Sequence, residues 1–428
     1  MNRIRRRDLL ALAALPLGGF AQAPPAPALQ KPEQPDARAD AKAQEEKAAK
    51  DAASKEALIG PEIPAGTIPP LASGPYQGMR WRIRFQFDEL GKRCQLQDFA
   101  MPTPQFGLAT ILIEEEDSDS VKSRLLVTHD GGKTWLQQKC DKNPEGVFVL
   151  DSTNGWYVAS GRLFATRDGG QKWEKLPLPH SAITQLWFAT PQNGMAFGVG
   201  KVFYRTADGG RNWSAVPESE SLSLQSPQTY LRSMAMLPSG AGMLVGDSTA
   251  APPEASLPDW MTPDRAMKRK SVPGTVVLFQ THDGGKTWTG QLSSAFGSVR
   301  RVRMGPSRGA VVFQYSESFA WPSELFAVDL RTGKNWPVLR RKDLVIHDAL
   351  LFSDGSLLAA ATQPSGRLRN SPVPGKLRVF WSPDAVDWYE MKVDYKATGN
   401  SATFASCSDG SLWLATDEGD IVQLASQG

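Results

Sequence analysis

Cysteine and histidine are scarce in this chain, with three Cys and four His among 428 residues. No Cys or His spacing fits a zinc site, so neither a metal centre nor a cofactor is expected. The apolar stretch Leu9–Leu17 is far short of the ~20 residues that span a bilayer, so no transmembrane span is expected in the mature chain. Charge of one sign is also lacking. The formal +3 arises entirely within residues 1–21, where four Arg face one Asp, and the rest holds 44 basic and 44 acidic residues. Whole-chain electrostatics therefore gives no reason to expect nucleic acid or an anionic membrane as partner. What is present is glycine (38), proline (32) and tryptophan (13), with 41% hydrophobic residues. That combination points to an all-β chain of short strands and tight turns.

The N-terminus reads as a targeting segment. Arg5-Arg6-Arg7-Asp8-Leu9-Leu10 leads into a short apolar run and then small residues suited to a signal peptidase, with cleavage expected after Ala21. The paired Arg resembles a twin-arginine export signal, which implies a periplasmic destination. Residues 22–78 form an Ala/Pro/charged linker. Its 36–58 portion has strong helix formers but almost no large apolar residues, so it reads as disordered or as a solitary helix. Residues 79–428 form the folded domain.

An octapeptide sets the fold. Thr-His-Asp-Gly-Gly-Lys-Thr-Trp occurs at 128–135 and again at 281–288, with close variants at 166–173 and 206–213. Degenerate copies end at Trp336 and Trp388, and the six Trp are separated by 38, 40, 75, 48 and 52 residues. Four strands with turns need about 40 residues, the size of a propeller blade. In each box the Asp (Asp130, Asp168, Asp208, Asp283) can accept bonds from turn N–H groups, and Gly-Gly supplies positive φ. The Trp (Trp135, Trp173, Trp213, Trp288) buries a large surface between blades. These boxes resemble the Asp-box (BNR) repeat. The longer frame at 148–173 and 186–213 resembles the photosystem II stability/assembly-factor propellers of plastids and cyanobacteria.

Periodicity gives seven blades, with six or eight as alternatives: 94–139, 145–178, 183–217, 228–293, 298–339, 344–393, and three strands within 401–424. The fourth strand of the last blade is expected at 80–87, where Trp81, Ile83, Phe85 and Phe87 alternate with polar residues. Pairing that strand with the last blade closes the ring. Cys94 and Cys140 should lie on the innermost and outermost strands of blade one, about 14 Å apart, beyond disulfide reach. Together with Cys407 they read as three free thiols.

Loop lengths point to a functional face. All boxes are turns between the third and fourth strands, so they share one end of the propeller. Turns between second and third strands, at the other end, are long in blades one, four, five and six. Residues 114–122 are acidic, 247–273 carry Lys268, Arg269 and Lys270, and 363–376 carry Arg367 and Arg369. Loops on a rigid scaffold are where binding usually resides, and this face is expected to dock a protein partner; the solvated-insertion alternative stays open. Arg300, Arg301 and Arg303 fall on the innermost strand of blade five. There they either pair with carboxylates between blades or, as the resemblance implies, belong to an arginine-rich surface that contacts a client protein. The expected role is that of a monomeric, non-enzymatic accessory or assembly factor for a membrane or periplasmic complex. The rival is a glycan-binding protein or sialidase-like glycoside hydrolase. Asp boxes occur there too, and carboxylate pairs such as Asp88/Glu89 or Asp98 with Glu114 could serve acid–base work. No catalytic residue is singled out.

Overall fold

The computed structural model describes residues 68–426 except 116–117, 119, 225, 250–272, 316–320 and 365–372. The expected export segment, most of the expected linker and the loop cations Lys268, Arg269, Lys270, Arg367 and Arg369 lie outside the described residues. Strand β1 (Met79–Phe85) is the first of the described strands and pairs with the last of them. Blade one follows as β2 (Lys92–Ala100), β3 (Gly107–Glu115), β4 (Val121–Thr128) and β5 (Leu136–Lys139). Blade two holds β6 (Pro144–Val149), β7 (Gly155–Ala159), β8 (Arg162–Thr166) and β9 (Glu174–Leu176). Blade three holds β10 (Ile183–Phe188), β11 (Gly194–Gly198), β12 (Phe203–Thr206) and β13 (Ser214–Ala215). A short helix, α1 (Glu218–Ser221), precedes blade four, which holds β14 (Thr229–Met236), β15 (Gly242–Ser248), β16 (Gly274–Thr281) and β17 (Thr289–Ala295). Blade five holds β18 (Gly297–Met304), β19 (Arg308–Tyr315), β20 (Ser323–Asp329) and β21 (Asn335–Arg340). Each of these five blades is a separate four-stranded antiparallel sheet.

The remaining strands are β22 (Val345–Leu351), β23 (Leu357–Gln363), β24 (Gly375–Ser382), β25 (Tyr389–Val393), β26 (Thr398–Gly399), β27 (Ala402–Ser406), β28 (Leu412–Thr416) and β29 (Ile421–Ser426). They form one nine-stranded sheet with β1. Within it β1 runs antiparallel to β29, from Met79↔Ser426 to Phe85↔Ile421 with a register shift between Ile83 and Phe85, and parallel to β25 at Arg80↔Lys392 and Trp81↔Val393. The expected closure of the ring by an N-terminal strand is therefore present, and the seven-blade count treats this continuous sheet as two blades. The innermost strands β2, β6, β10, β14, β18, β22 and β27 follow one another around a channel, each touching the next, and β27 returns to β2. Just ahead of β1, Ile68 is buried among blade-five and blade-six residues, and Pro70 forms a parallel bridge to Glu390.

The boxes build the outer turns as their chemistry requires. In blade one, Asp130 Oδ1 accepts the Thr134 N–H at 2.9 Å and the Thr128 hydroxyl at 3.0 Å, while the Gly132 N–H donates to Thr128 Oγ1 at 2.8 Å. The same pattern recurs at Asp168, Asp208 and Asp283. Gly132 has φ +74°, and a Cβ there would stand 2.3 Å from the indole of Trp413 on β28. The second box glycine thus satisfies the turn and admits the neighbouring blade at once. Box N–H groups also bind turns between first and second strands, Gly169 to Thr153 O (2.9 Å) and Gly209 to Gln192 O (2.8 Å), so both sets of turns occupy one end.

Each well-formed box Trp packs toward the preceding blade. Trp173 joins Val127 and Tyr157, Trp213 joins Leu163 and Phe188, and Trp288 joins Phe203 and Phe279. The blade-six box is one residue shorter, with Ala385 at φ +68° in the glycine position, and still seats Trp388, whose Nε1 donates to Val338 O at 2.8 Å. In blade five Asp329 accepts the Arg331 and Thr332 N–H groups, both at 2.9 Å, but Trp336 stays half-exposed with the Arg308 guanidinium over its ring. The Trp there lies seven residues past the Asp rather than five, so it emerges beyond the inter-blade gap.

The box carboxylates make the fold acid-sensitive. Bonds from the Thr134 and Asn212 N–H groups hold Asp130 and Asp208 at about 2, below their ordinary 3.8, and the Thr287 N–H holds Asp283 lower still. A folded pKa below the unfolded one means the stabilisation is complete above about pH 4 and is lost as pH falls through about 2. Urea midpoints are expected to drop across that window, and a chain with the four box Asp changed to Asn should show a smaller drop.

Candidate functional site

The three arginines expected on the innermost strand of blade five all lie on β18. Their side chains do different things. Every innermost strand from β2 to β22 has a register shift. In blades four, five and six the extra residue at this bulge is Arg232, Arg300 or His347. A bulge leaves its extra residue outside the ladder and re-aims it. Arg232 makes a two-point ion pair with Asp247, and its guanidinium lies 5.0 Å over the Tyr230 ring. Arg300 is exposed, and its Nε donates to Gln314 at 2.8 Å. His347 shares a 2.8 Å bond with Thr362, and burial followed by the Arg300 charge pushes its pKa down to about 3. These residues lie near the starts of their strands, at the end of the propeller that bears the long turns. Arg232 and Arg300 are the cations there, with His347 neutral beside them, and the Asp247 carboxylate is committed to Arg232.

Arg301 and Arg303 point into the channel instead. Arg303 grips Asp348 on β22 through Nε at 3.1 Å and Nη2 at 2.6 Å, and reaches the Phe404 carbonyl on β27 at 3.1 Å. Asp348 has no exposed side-chain surface, and it also accepts the N–H groups of Ala349 (2.8 Å) and Phe404 (2.9 Å). Burial works to raise the Asp348 pKa, but Arg303 and Arg301 outweigh it and hold it down. For Arg303 burial works against the cation, and Asp348 outweighs it. Arg303 is thus an inter-blade fastening, whereas Arg300 faces solvent.

Asp98 occupies on β2 the position that Asp348 has on β22. It accepts the Phe99 and Val147 N–H groups, each at 2.9 Å, and so ties blade one to blade two. It does not meet Glu114: Asp98 pairs opposite Thr110, while Glu114 lies opposite Arg93, roughly 15 Å along the strand. Asp88 and Glu89 sit in the turn ahead of β2, where Glu89 binds Lys92 at 2.5 Å. A buried group that sequence reasoning misses lies on blade five. The Tyr315 hydroxyl donates to Glu324, Arg340 donates to Glu324 at 3.2 Å, and the Arg340 guanidinium lies 4.4 Å from the Trp321 ring centre. Glu324 is 3% exposed and Arg340 8%. No repeat signal marks these residues, because they occupy the ends of strands whose turns differ between blades.

The cysteines are unpaired. Burial pushes the Cys94 and Cys140 thiols up to about 12 and raises Cys407 as well. Among the described residues no group of three or more His, Cys, Asp or Glu is placed to hold a metal, and no helix is long and apolar enough to cross a membrane.

Comparison with known proteins agrees with this architecture. The sequence profile described as photosynthesis system II assembly factor YCF48 matches residues 119–223, within blades one to three and the segment after them. The chain has the fold of the solved structure of YCF48 bound to D1 peptide, at TM-score 0.54 and 16% identity, covering 84% of this chain and 98% of that one. YCF48 from Cyanidioschyzon merolae aligns at TM-score 0.48 and 13% identity over 80% and 98% of the two chains. The chain is thus an Asp-box β-propeller that resembles the photosystem II assembly-factor family. No curated protein matches it in sequence.

Proposed function

We propose that this protein is a non-enzymatic, protein-binding propeller that serves as an assembly or stability factor for an envelope complex, acting in the periplasm after twin-arginine export. The observation that carries the reading is the shared fold with YCF48 bound to D1 peptide, which spans nearly all of that chain. The export motif in residues 1–21 supports the location. The cations Arg232 and Arg300, near the starts of the innermost strands of blades four and five, support an acidic or polar protein segment as the partner. Among them Arg300 is an exposed cation that donates to a neutral side chain, Gln314. A hydrolase reading gains nothing from the Tyr315–Glu324 pair, since both Glu324 oxygens are committed and the residue is sealed from solvent.

The test is capture by crosslinking from the protein's own envelope fraction, comparing the full chain with Arg300→Glu and with deletion of 250–272 together with 365–374. A specific partner captured by the full chain is expected to be reduced at least about tenfold by Arg300→Glu, which removes a charge-assisted bond and adds a repulsion. Equal capture by the intact and altered chains, with folding unchanged, would overturn the reading.

A further inference from the structure

The channel holds a second site, at the opposite end from the long turns. A cavity of about 420 Å³ follows the later residues of the innermost strands toward the box-bearing turns. That is within the roughly 300–1,000 Å³ of small-molecule sites. Part of its wall is apolar, lined by Met234, Met236, Met304 and Leu351. Charge enters it from Asp98, Arg301 and Arg303, among polar side chains that include Gln185, Ser233 and Thr403. Arg303 is committed to Asp348 and the Phe404 carbonyl. The other two charged groups have unspent capacity. Arg301 Nη2 donates to Thr403 at 3.1 Å, its Nε is buried without a hydrogen-bond partner, and its nearest carboxylate oxygen, on Asp348, is 3.7 Å away. Asp98 accepts two backbone N–H groups, yet among the described residues no basic side chain lies within ion-pair distance of it. Thr403 stands on β27, which abuts β2, the strand of Asp98. The guanidinium of Arg301 therefore reaches to the strand beside an unpaired carboxylate.

A cation with free donors and a carboxylate with free lone pairs, facing one small cavity with a methionine wall, are complementary to a zwitterion with an apolar body. We propose that the channel binds an α-amino acid with an apolar side chain, its carboxylate on Arg301, its ammonium on Asp98 and its side chain against Met234, Met236 and Met304. Burial pushes the Asp98 carboxyl up, and an arriving ammonium would restore its ionised form. Thioether side chains adapt to differing apolar shapes, so several such amino acids fit the same wall. The site is independent of the loop-rich face and does not rest on the partner-binding reading.

The experiment is ligand-observed NMR and calorimetry on the full chain with three probes: L-leucine, 4-methylpentanoate, which lacks the ammonium, and 3-methylbutylamine, which lacks the carboxylate. L-leucine is expected to bind, and each half-probe to bind at least about tenfold more weakly. Arg301→Gln, which leaves Asp348 its Arg303 partner, should weaken L-leucine by a similar factor while leaving 3-methylbutylamine unchanged. Asp98→Asn removes one acceptor of a two-bond inter-blade tie and can unfold the chain, so the probe lacking ammonium tests the same interaction without altering the protein. No binding of L-leucine, equal binding of 4-methylpentanoate, or L-leucine binding indifferent to Arg301→Gln would each overturn the proposal.

Discussion

Trp288→Ala is expected to destabilise the propeller by about 3–5 kcal/mol, the cost of emptying a well-packed aromatic site, whereas Trp336→Ala should cost about 1 kcal/mol or less. The contrast follows from where the Trp of a full box and the Trp of a degenerate one end up. Trp288 is 5% exposed, meets the Phe203 ring edge-on at 5.2 Å, and donates its indole N–H to Gly285 O at 3.2 Å. Its backbone N–H is also bound by Glu218 of α1 at 2.9 Å. It fills the gap between blades three and four, so its removal leaves a void that β strands on both sides cannot collapse to fill. Trp336 lies beside its gap. Between blades four and five a cavity of about 70 Å³ remains, lined by Val245, Val276, Val299 and Val311 and faced by the buried Gln291 Oε1, which has no partner among the described residues. Urea unfolding of the two variants against the parent chain measures the difference. Equal losses would mean that the box tryptophans act within their own turns and not between blades.

Asp348→Ala is expected to have an effect of the same order, about 3–5 kcal/mol, because it strands buried charge. Arg303 would lose both of its carboxylate bonds, Arg301 its nearest counter-charge, and the Ala349 and Phe404 N–H groups their acceptor. The loss comes mostly from what remains behind, not from the strength of the pair itself. Replacing both partners with apolar residues, Asp348→Leu with Arg303→Met, should therefore recover a large part of it, since a buried pair exchanged for apolar packing is often near neutral. Thermal and urea unfolding of the single and double variants decide the point. A double variant no more stable than the single one would place the cost in the missing backbone acceptor.

The scaffold is legible in the sequence to an unusual depth, and the reason is repetition. Thr128, Asp130, Gly132 and Trp135 have fixed local duties in a turn, and four near-copies mark the third and fourth strands of four blades directly. Strict alternation around Trp81 is enough to assign β1 to the last blade, because a strand with one buried face and no hairpin partner nearby must pair elsewhere. The site is less legible. That Arg300, Arg301 and Arg303 share one inner strand can be read from period and position. Their division of labour cannot. It depends on a bulge at Arg300 that shifts the register by one residue, and a one-residue slip exchanges the faces on which side chains lie. Asp348 and Asp98 are equally hidden, since their role as ties to the next blade depends on a strand some 50 residues away. The Tyr315–Glu324–Arg340 group lies where blades differ from one another, so no internal copy betrays it.

The closure through β1 has a temporal side. Of the described strands β1 is synthesised first, and its antiparallel partner β29 comes after all the others. Until β25 is made the apolar face of Trp81, Ile83 and Phe85 has no strand to pair with, and until β29 is made it lacks its antiparallel partner. Pairings of such long sequence separation are slow to form, and an unpaired apolar strand is prone to associate with the wrong partner meanwhile. The strand that removes the last open edge of the finished ring is thus the chain's most vulnerable segment while it is being made. Its alternating arginines, Arg80, Arg82 and Arg84, place charge on the other face throughout that wait.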